Sequence, residues 1–275
     1  MAAYSPCMLP ATAADKWAEA LAEWAIPDEI LASAPEPPWG FPVEVFAEGA
    51  RQALSGGLTP THLRVAEALP GAGVLLDVGS GAGAASLPVA PPAGRVVAVD
   101  QDREMLDAFA ALAAGRVPAD LVEGPWPDVS PDVGQVDVAV CANVAYNASR
   151  LAPFIAALTA VARHRVVLEL SAVHPQAALG PLWQRFWGLS RPSRPTAEDA
   201  EAVIREVTGA VPGREDWVGR RPLLGEDGPE RVARARRRLC LAPSLDGEVA
   251  AALEELVPPV PPLMVTLWWP GHAQA

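Results

Sequence analysis

Cysteine is scarce: Cys7, Cys141 and Cys240 are the three in 275 residues, far apart and without CxxC spacing. That excludes a disulfide framework and a cysteine-based zinc site, so no metal is expected and a reducing compartment fits. No run of 18 or more apolar residues occurs, so no membrane span is expected. The first residues lack the basic stretch and apolar segment of a secretion signal, which makes the cytoplasm the expected location. Positive charge is also sparse. Lys16 is the only lysine, and 21 Lys and Arg stand against 33 Asp and Glu, for a net charge of -12. Such a balance argues against a nucleic-acid partner held by phosphate contacts.

Apolar and stiff residues are plentiful. Hydrophobic residues make up 51% and there are 30 prolines, about twice the usual ~5% share of proline. Ala, Gly, Pro and Arg rise together, which reads as codon bias. Charged residues at 20% beside this apolar content exclude a wholly disordered chain. The length suits one domain with embellishments.

The texture changes along the chain. Trp17, Ala20, Leu21 and Trp24 fall on one helical face over 15–24. A short helix is expected over 28–34 with Asp28 as N-cap, then a proline-stiffened loop carrying Trp39 and Phe41, then helices over 43–54 and 61–68. From 74 onward, apolar strands alternate with helices. Strands are expected at 74–78, 95–99, 120–123, 136–141 and 166–170, with helices at 102–114 and 151–162. Helices at 176–187 and 196–208, a strand at 215–218, helices at 228–238 and 246–256 and a last strand at 261–269 follow. Near-continuous apolar strands separated by helices imply a parallel sheet covered on both faces. The expected fold is therefore α/β, with a doubly wound, mostly parallel seven-stranded sheet. A helical N-terminal cap would span 1–68 and the sheet domain 69–275, the latter with a helical insertion at about 222–258.

The informative segment is Val74-Leu75-Leu76-Asp77-Val78-Gly79-Ser80-Gly81-Ala82-Gly83. A buried strand ends in an acid, and a Gly-x-Gly-x-Gly turn is expected to open a helix. Glycines allow positive φ and close approach of a ligand to the backbone, and a helix start offers free N–H groups. The next strand ends in Val99-Asp100, where a carboxylate can accept both hydroxyls of a ribose. Gly79-x-Gly81-x-x-Ala84 also satisfies a dinucleotide pattern, which leaves a nicotinamide-dependent oxidoreductase as an alternative. Asp77 speaks against it, because a negative charge there would oppose a pyrophosphate.

This segment resembles motif I of class I S-adenosylmethionine (SAM)-dependent methyltransferases, and the flanks resemble those of actinobacterial members. The resemblance covers about 74–170. It implies SAM as cofactor, with Asp77, Gly79, Ser80, Gly81, Gly83 and Asp100 around it. Gln101 and Met105 fall where adenine-contacting residues lie. Gly124, Pro125 and Trp126 follow the third strand, with Pro125 in place of the expected acid and Trp126 offering a flat face to the base. Asn143 follows the fourth strand, under the reactive methyl. A non-catalytic SAM-binding protein is a further alternative.

Methyl transfer needs alignment of nucleophile and methyl, and in some cases a base. Tyr146 and His174, near the ends of the fourth and fifth strands, are the catalytic candidates, and Glu169 lies within the fifth. Trp39 and Phe41 are candidates for the wall of a small-molecule acceptor site. Trp183, Phe186 and Trp187 fall at helical spacing and read as core. The arginines from 231 to 238 read as a solvated or ion-paired face.

Overall fold

A computed structural model describes residues 11–40, 42–220, 228–257 and 260–272. Four helices come first: α1 (Ala13–Ala22), α2 (Asp28–Ser33), α3 (Val43–Ser55) and α4 (Pro60–Ala68). Strands and helices then alternate through β1 (Gly73–Val78), β2 (Ala93–Asp100), α5 (Arg103–Ala113), β3 (Ala119–Glu123), α6 (Ser130–Val133), β4 (Val136–Ala142), α7 (Leu151–Val161) and β5 (Ala162–Ser171). The chain ends with α8 (Gly180–Trp187), α9 (Ala197–Thr208), β6 (Gly213–Val218), α10 (Pro229–Arg238), α11 (Asp246–Leu256) and β7 (Leu263–Pro270).

Among the described residues the strands form one seven-stranded sheet in the order β3-β2-β1-β4-β5-β7-β6. β1 through β5 pair in parallel, while β7 runs antiparallel to both β5 and β6. The strand ends after β1, β2 and β4 therefore share one edge, where the order reverses and ligands bind in open α/β sheets.

Two cores flank the sheet, because alternate strand residues face opposite sides. Leu76, Val78, Val166 and Leu168 pack with α7, α9 and Trp17 of α1. Leu75, Val96, Val138 and Val167 pack with Val65 of α4 and with Leu106 and Phe109 of α5. A third core joins distant segments: Ile26 just before α2 and Ile30 within it, Leu182 and Trp183 of α8, Ala235 of α10, and Val249 and Leu253 of α11. Trp183 is thus core, with Phe186 and Trp187 packed against it.

Local signals account for several boundaries. Thr196 and Asp199 form a capping box at α9, and Gly209 ends it in the left-handed region. Asp102 caps α5 through the N–H of Glu104. At α2, however, the N-cap is Pro27 and Asp28 is already inside the helix. Proline at 27 sets the extended entry, so the carboxylate of Asp28 lies in the first turn, where it favours the helix dipole. In α10, Arg231 and Arg236 are buried rather than solvated; Arg236 pairs with Glu36 at 3.0 Å and Asp246 at 2.9 Å.

Candidate active site

Asp77 lies in β1 with 1% of its surface exposed. Its Oδ2 accepts the Ser86 hydroxyl at 2.5 Å, while Oδ1 is buried with no hydrogen-bond partner among the described residues. Burial pushes its carboxyl up to about 7, against the Ser86 bond and with the help of the nearby Asp100 charge.

After β1 the chain turns through Gly79 (φ +67°), Gly81 (φ +48°) and Gly83 (φ +94°). The N–H groups of Gly79 and Ser80 both donate to the Val99 carbonyl, at 2.8 and 3.0 Å. A Cβ on Gly79 would stand 2.3 Å from Val144 Cγ2, and one on Gly83 would stand 2.6 Å from Leu87 Cδ1. Both positions thus require glycine for space as well as for φ. The Ser80 hydroxyl is buried and without a hydrogen-bond partner among the described residues. The expected helix does not follow: successive turns lead to a short 3-10 segment, Leu87–Val89. Pro88, Pro91 and Pro92 remove amide donors from this connection, so a helix begun at the glycine turn cannot continue past Leu87.

Asp100 tips β2. Its Oδ2 accepts the Gly81 N–H at 2.8 Å and its Oδ1 the Asp102 N–H at 3.1 Å. Each oxygen retains a second lone pair. The Gly124 N–H donates to the Asp100 carbonyl at 2.9 Å, which brings the end of β3 alongside. Gln101 and Pro125 are exposed here and Met105 is buried on α5. The Trp126 indole N–H donates to the Phe154 carbonyl at 3.2 Å, so its ring leans on α7. Asn143 follows β4 in the left-handed region (φ +61°), exposed at the same edge.

Two elements here carried no sequence signal. Phe46 of α3 lies over the turn, its Cδ1 3.4 Å from where a Cβ on Gly81 would stand. His62 of α4 completes a capping box with Thr59 and holds the Ala84 carbonyl at 2.9 Å.

Residues 75–165 match a family model described as a methyltransferase domain. This stretch is a SAM-dependent methyltransferase domain. Among curated proteins none matches the sequence. The fold is similar to that of the YcgJ protein from Bacillus subtilis, at 15% identity and a TM-score of 0.51, covering 78% of this chain and 98% of that one. It is equally similar to a structure from work on the conversion of a disulfide bond into a thioacetal group during echinomycin biosynthesis, at 13% identity and a TM-score of 0.51, covering 78% of this chain and 83% of that one. The buried, unpartnered oxygens of Asp77 and Ser80 and the glycine cradle under Phe46 fit SAM as the group bound by this methyltransferase.

The methyltransferase brings Tyr146 and His174 together, with ring centroids 5.1 Å apart, yet uses both for packing. The Tyr146 hydroxyl donates to the Ser171 carbonyl at 2.9 Å, its ring stacks on Trp17, and burial pushes its ionisation upward. His174 caps a 3-10 turn by accepting the Gln176 N–H at 3.2 Å. Burial, then the Arg191 charge, lower it to about 4. Trp39 is 51% exposed. Its loop is tied to α10 by the Glu36–Arg236 pair and by Arg237, which donates to the Gly40 carbonyl at 2.8 Å. Phe41 lies outside the described residues.

Among the described residues no helix is long and apolar enough to cross a membrane.

Proposed function

We propose that this methyltransferase acts on a small molecule held between the glycine turn and a cap made of α2, α8, α10 and α11. In this reading Asp100 accepts the ribose hydroxyls, and the turn from Gly79 through Ser80 and Gly81 to Gly83 lies along the cofactor. Asp77 answers the cationic methionine end. Gln101, Met105, Gly124, Pro125 and Trp126 surround the adenine, and Asn143 stands at the methyl. SAM supplies an electrophilic methyl on a sulfonium; the chain's task is to align an acceptor with it.

The cap in this reading differs from a contiguous 1–68 unit. α1 and α4 lie in the two helical layers of the sheet, whereas α2 shares the third core. Trp39, on the loop leaving α2, is read as part of the acceptor wall. Neither Tyr146 nor His174 is given a proton-transfer role, because hydrogen bonds and stacking already occupy them.

The observation that carries the reading is Asp100, fixed by the Gly81 N–H at 2.8 Å beside the buried, unpaired Asp77 oxygen. Isothermal titration with S-adenosylhomocysteine (SAH) tests it. Saturable binding is expected, weakened at least about tenfold in Asp100→Ala, as for loss of a charged hydrogen bond. An absence of heat in both proteins would overturn it.

A further inference from the structure

A chain of hydrogen bonds crosses the sheet from β6 to the end of β4. The Trp217 indole N–H donates to Thr266 Oγ1 at 3.0 Å. Thr266 and Thr61 share a hydroxyl contact at 2.8 Å. Thr61 donates to Glu169 Oε2 at 2.6 Å. Asn143 Nδ2 donates to the other oxygen, Oε1, at 3.0 Å, and the Asn143 backbone N–H donates to the Glu169 carbonyl at 2.9 Å. Thr61 and Thr266 are fully buried.

The ends of this chain set its direction. An indole nitrogen can only donate, and both Glu169 oxygens accept, one from Thr61 and one from Asn143. Thr266 therefore receives from Trp217 and donates to Thr61, and Thr61 donates to Glu169. Glu169 accepts on both oxygens, so the carboxamide of Asn143 has one permitted orientation, nitrogen toward Glu169. Its Oδ1 is turned away and takes no hydrogen bond from the described residues. Asn143 is exposed, and the next residue, Val144, abuts Gly79 of the glycine turn. Among the described residues Glu169 has no cation in direct contact. Burial pushes its carboxyl up, against the hydrogen bonds from Thr61 and Asn143 and the more distant Arg220 charge, whose guanidinium is hydrogen-bonded to the Gly57 carbonyl.

We infer that Glu169 is a positioning residue for the methyl acceptor: it holds Asn143 with the carboxamide oxygen presented to an N–H or O–H of an uncharged acceptor. A carboxamide oxygen facing the acceptor can only accept, so carboxylate and phosphate acceptors are disfavoured. The inference rests on the cofactor lying along the turn between Gly79 and Asp100. It extends that reading by naming the acceptor class, an amine or hydroxyl compound.

The test uses the full chain saturated with SAH and small aromatic probes in pairs: phenol with anisole, and aniline with N,N-dimethylaniline. Calorimetry is expected to show at least one donor probe binding about tenfold more tightly than its methyl-capped partner, the usual scale of one hydrogen bond. That preference should vanish in Asn143→Ala and Glu169→Ala. It should largely return in Glu169→Gln, whose Oε1 still accepts from Asn143. Because Asn143 is exposed, its variant decides the matter even if Glu169→Ala fails to fold. Equal binding of capped and uncapped probes, no binding of any donor probe, or a preference that survives Asn143→Ala would overturn the inference. Normal SAH binding alongside any of these leaves the cofactor reading intact, whereas loss of SAH binding in the wild-type chain overturns both.

Discussion

The imidazole of His174 lies flat on the indole of Trp24, with ring centroids 3.9 Å apart and planes 15° apart. The Arg191 guanidinium lies over the Trp24 ring, at 5.2 Å, and over the Trp183 ring, at 5.1 Å. This stack joins the loop after β5 to the third core. It places a neutral ring next to a cation, an arrangement that protonation of His174 would oppose.

An acid-sensitive stability follows. His174 is held near 4 when folded, below its ordinary 6.5. Its contribution is fully present above 6.5 and is lost as pH falls toward 4, with an upper bound of about 3 kcal/mol. Melting temperatures of wild type and His174→Phe between pH 4 and pH 7 check this. The variant should lose the steep part of the decline between 6.5 and 4.

Asp77 has the opposite sign. Its folded value of about 7 lies above the ordinary 3.8, so stability falls as pH rises from 3.8 through 7. In the free protein the ionised group is destabilising by at most about 4 kcal/mol at pH 8. Asp77→Asn is therefore expected to melt higher than wild type at pH 8 and to match it near pH 4. It should also bind SAH far more weakly, as a residue kept for function at the expense of stability. Equal melting temperatures at pH 8 would refute this.

The affinity for SAH should itself depend on pH. A cationic ammonium favours ionised Asp77, so binding is expected to tighten as pH rises through about 7 and then level off. Calorimetry at pH 6 in buffers of different ionisation enthalpy should reveal proton release on binding. Asp77→Asn should release none from this group.

At Gly79 the constraint is steric as well as conformational. Alanine there would meet Val144 Cγ2 at 2.3 Å in a left-handed backbone. Gly79→Ala is expected to destabilise by about 1–3 kcal/mol in chemical denaturation and to impair SAH binding. Gly188→Ala, also at positive φ but with open space around its Cβ position, should cost about 1 kcal/mol and leave SAH binding unchanged.

The order of strands and helices was legible in the sequence because buried parallel strands are near-continuous apolar runs and helices carry a 3.6-residue period. The acid, the glycines and Asp100 were legible for a related reason: they lie within one strand–turn–strand unit, so chain geometry alone brings them to one edge. The helix expected after Gly83 was not decided by that pattern; the prolines of the connection overrode it. Tyr146 and His174 follow strand ends and so looked like cleft residues. Only packing places Trp17 and Trp24, from the beginning of the chain, against their rings. The chain that orients Asn143 joins β6, β7, α4, β5 and the end of β4, and its Thr61–Thr266 link spans 205 positions. Sequence by itself determined the edge where Asp77, the glycine turn and Asp100 meet, because local spacing is enough to build it. Tertiary structure decided how Asn143 is oriented, because hydrogen-bond direction there is set by groups that meet only when the sheet and α4 have come together.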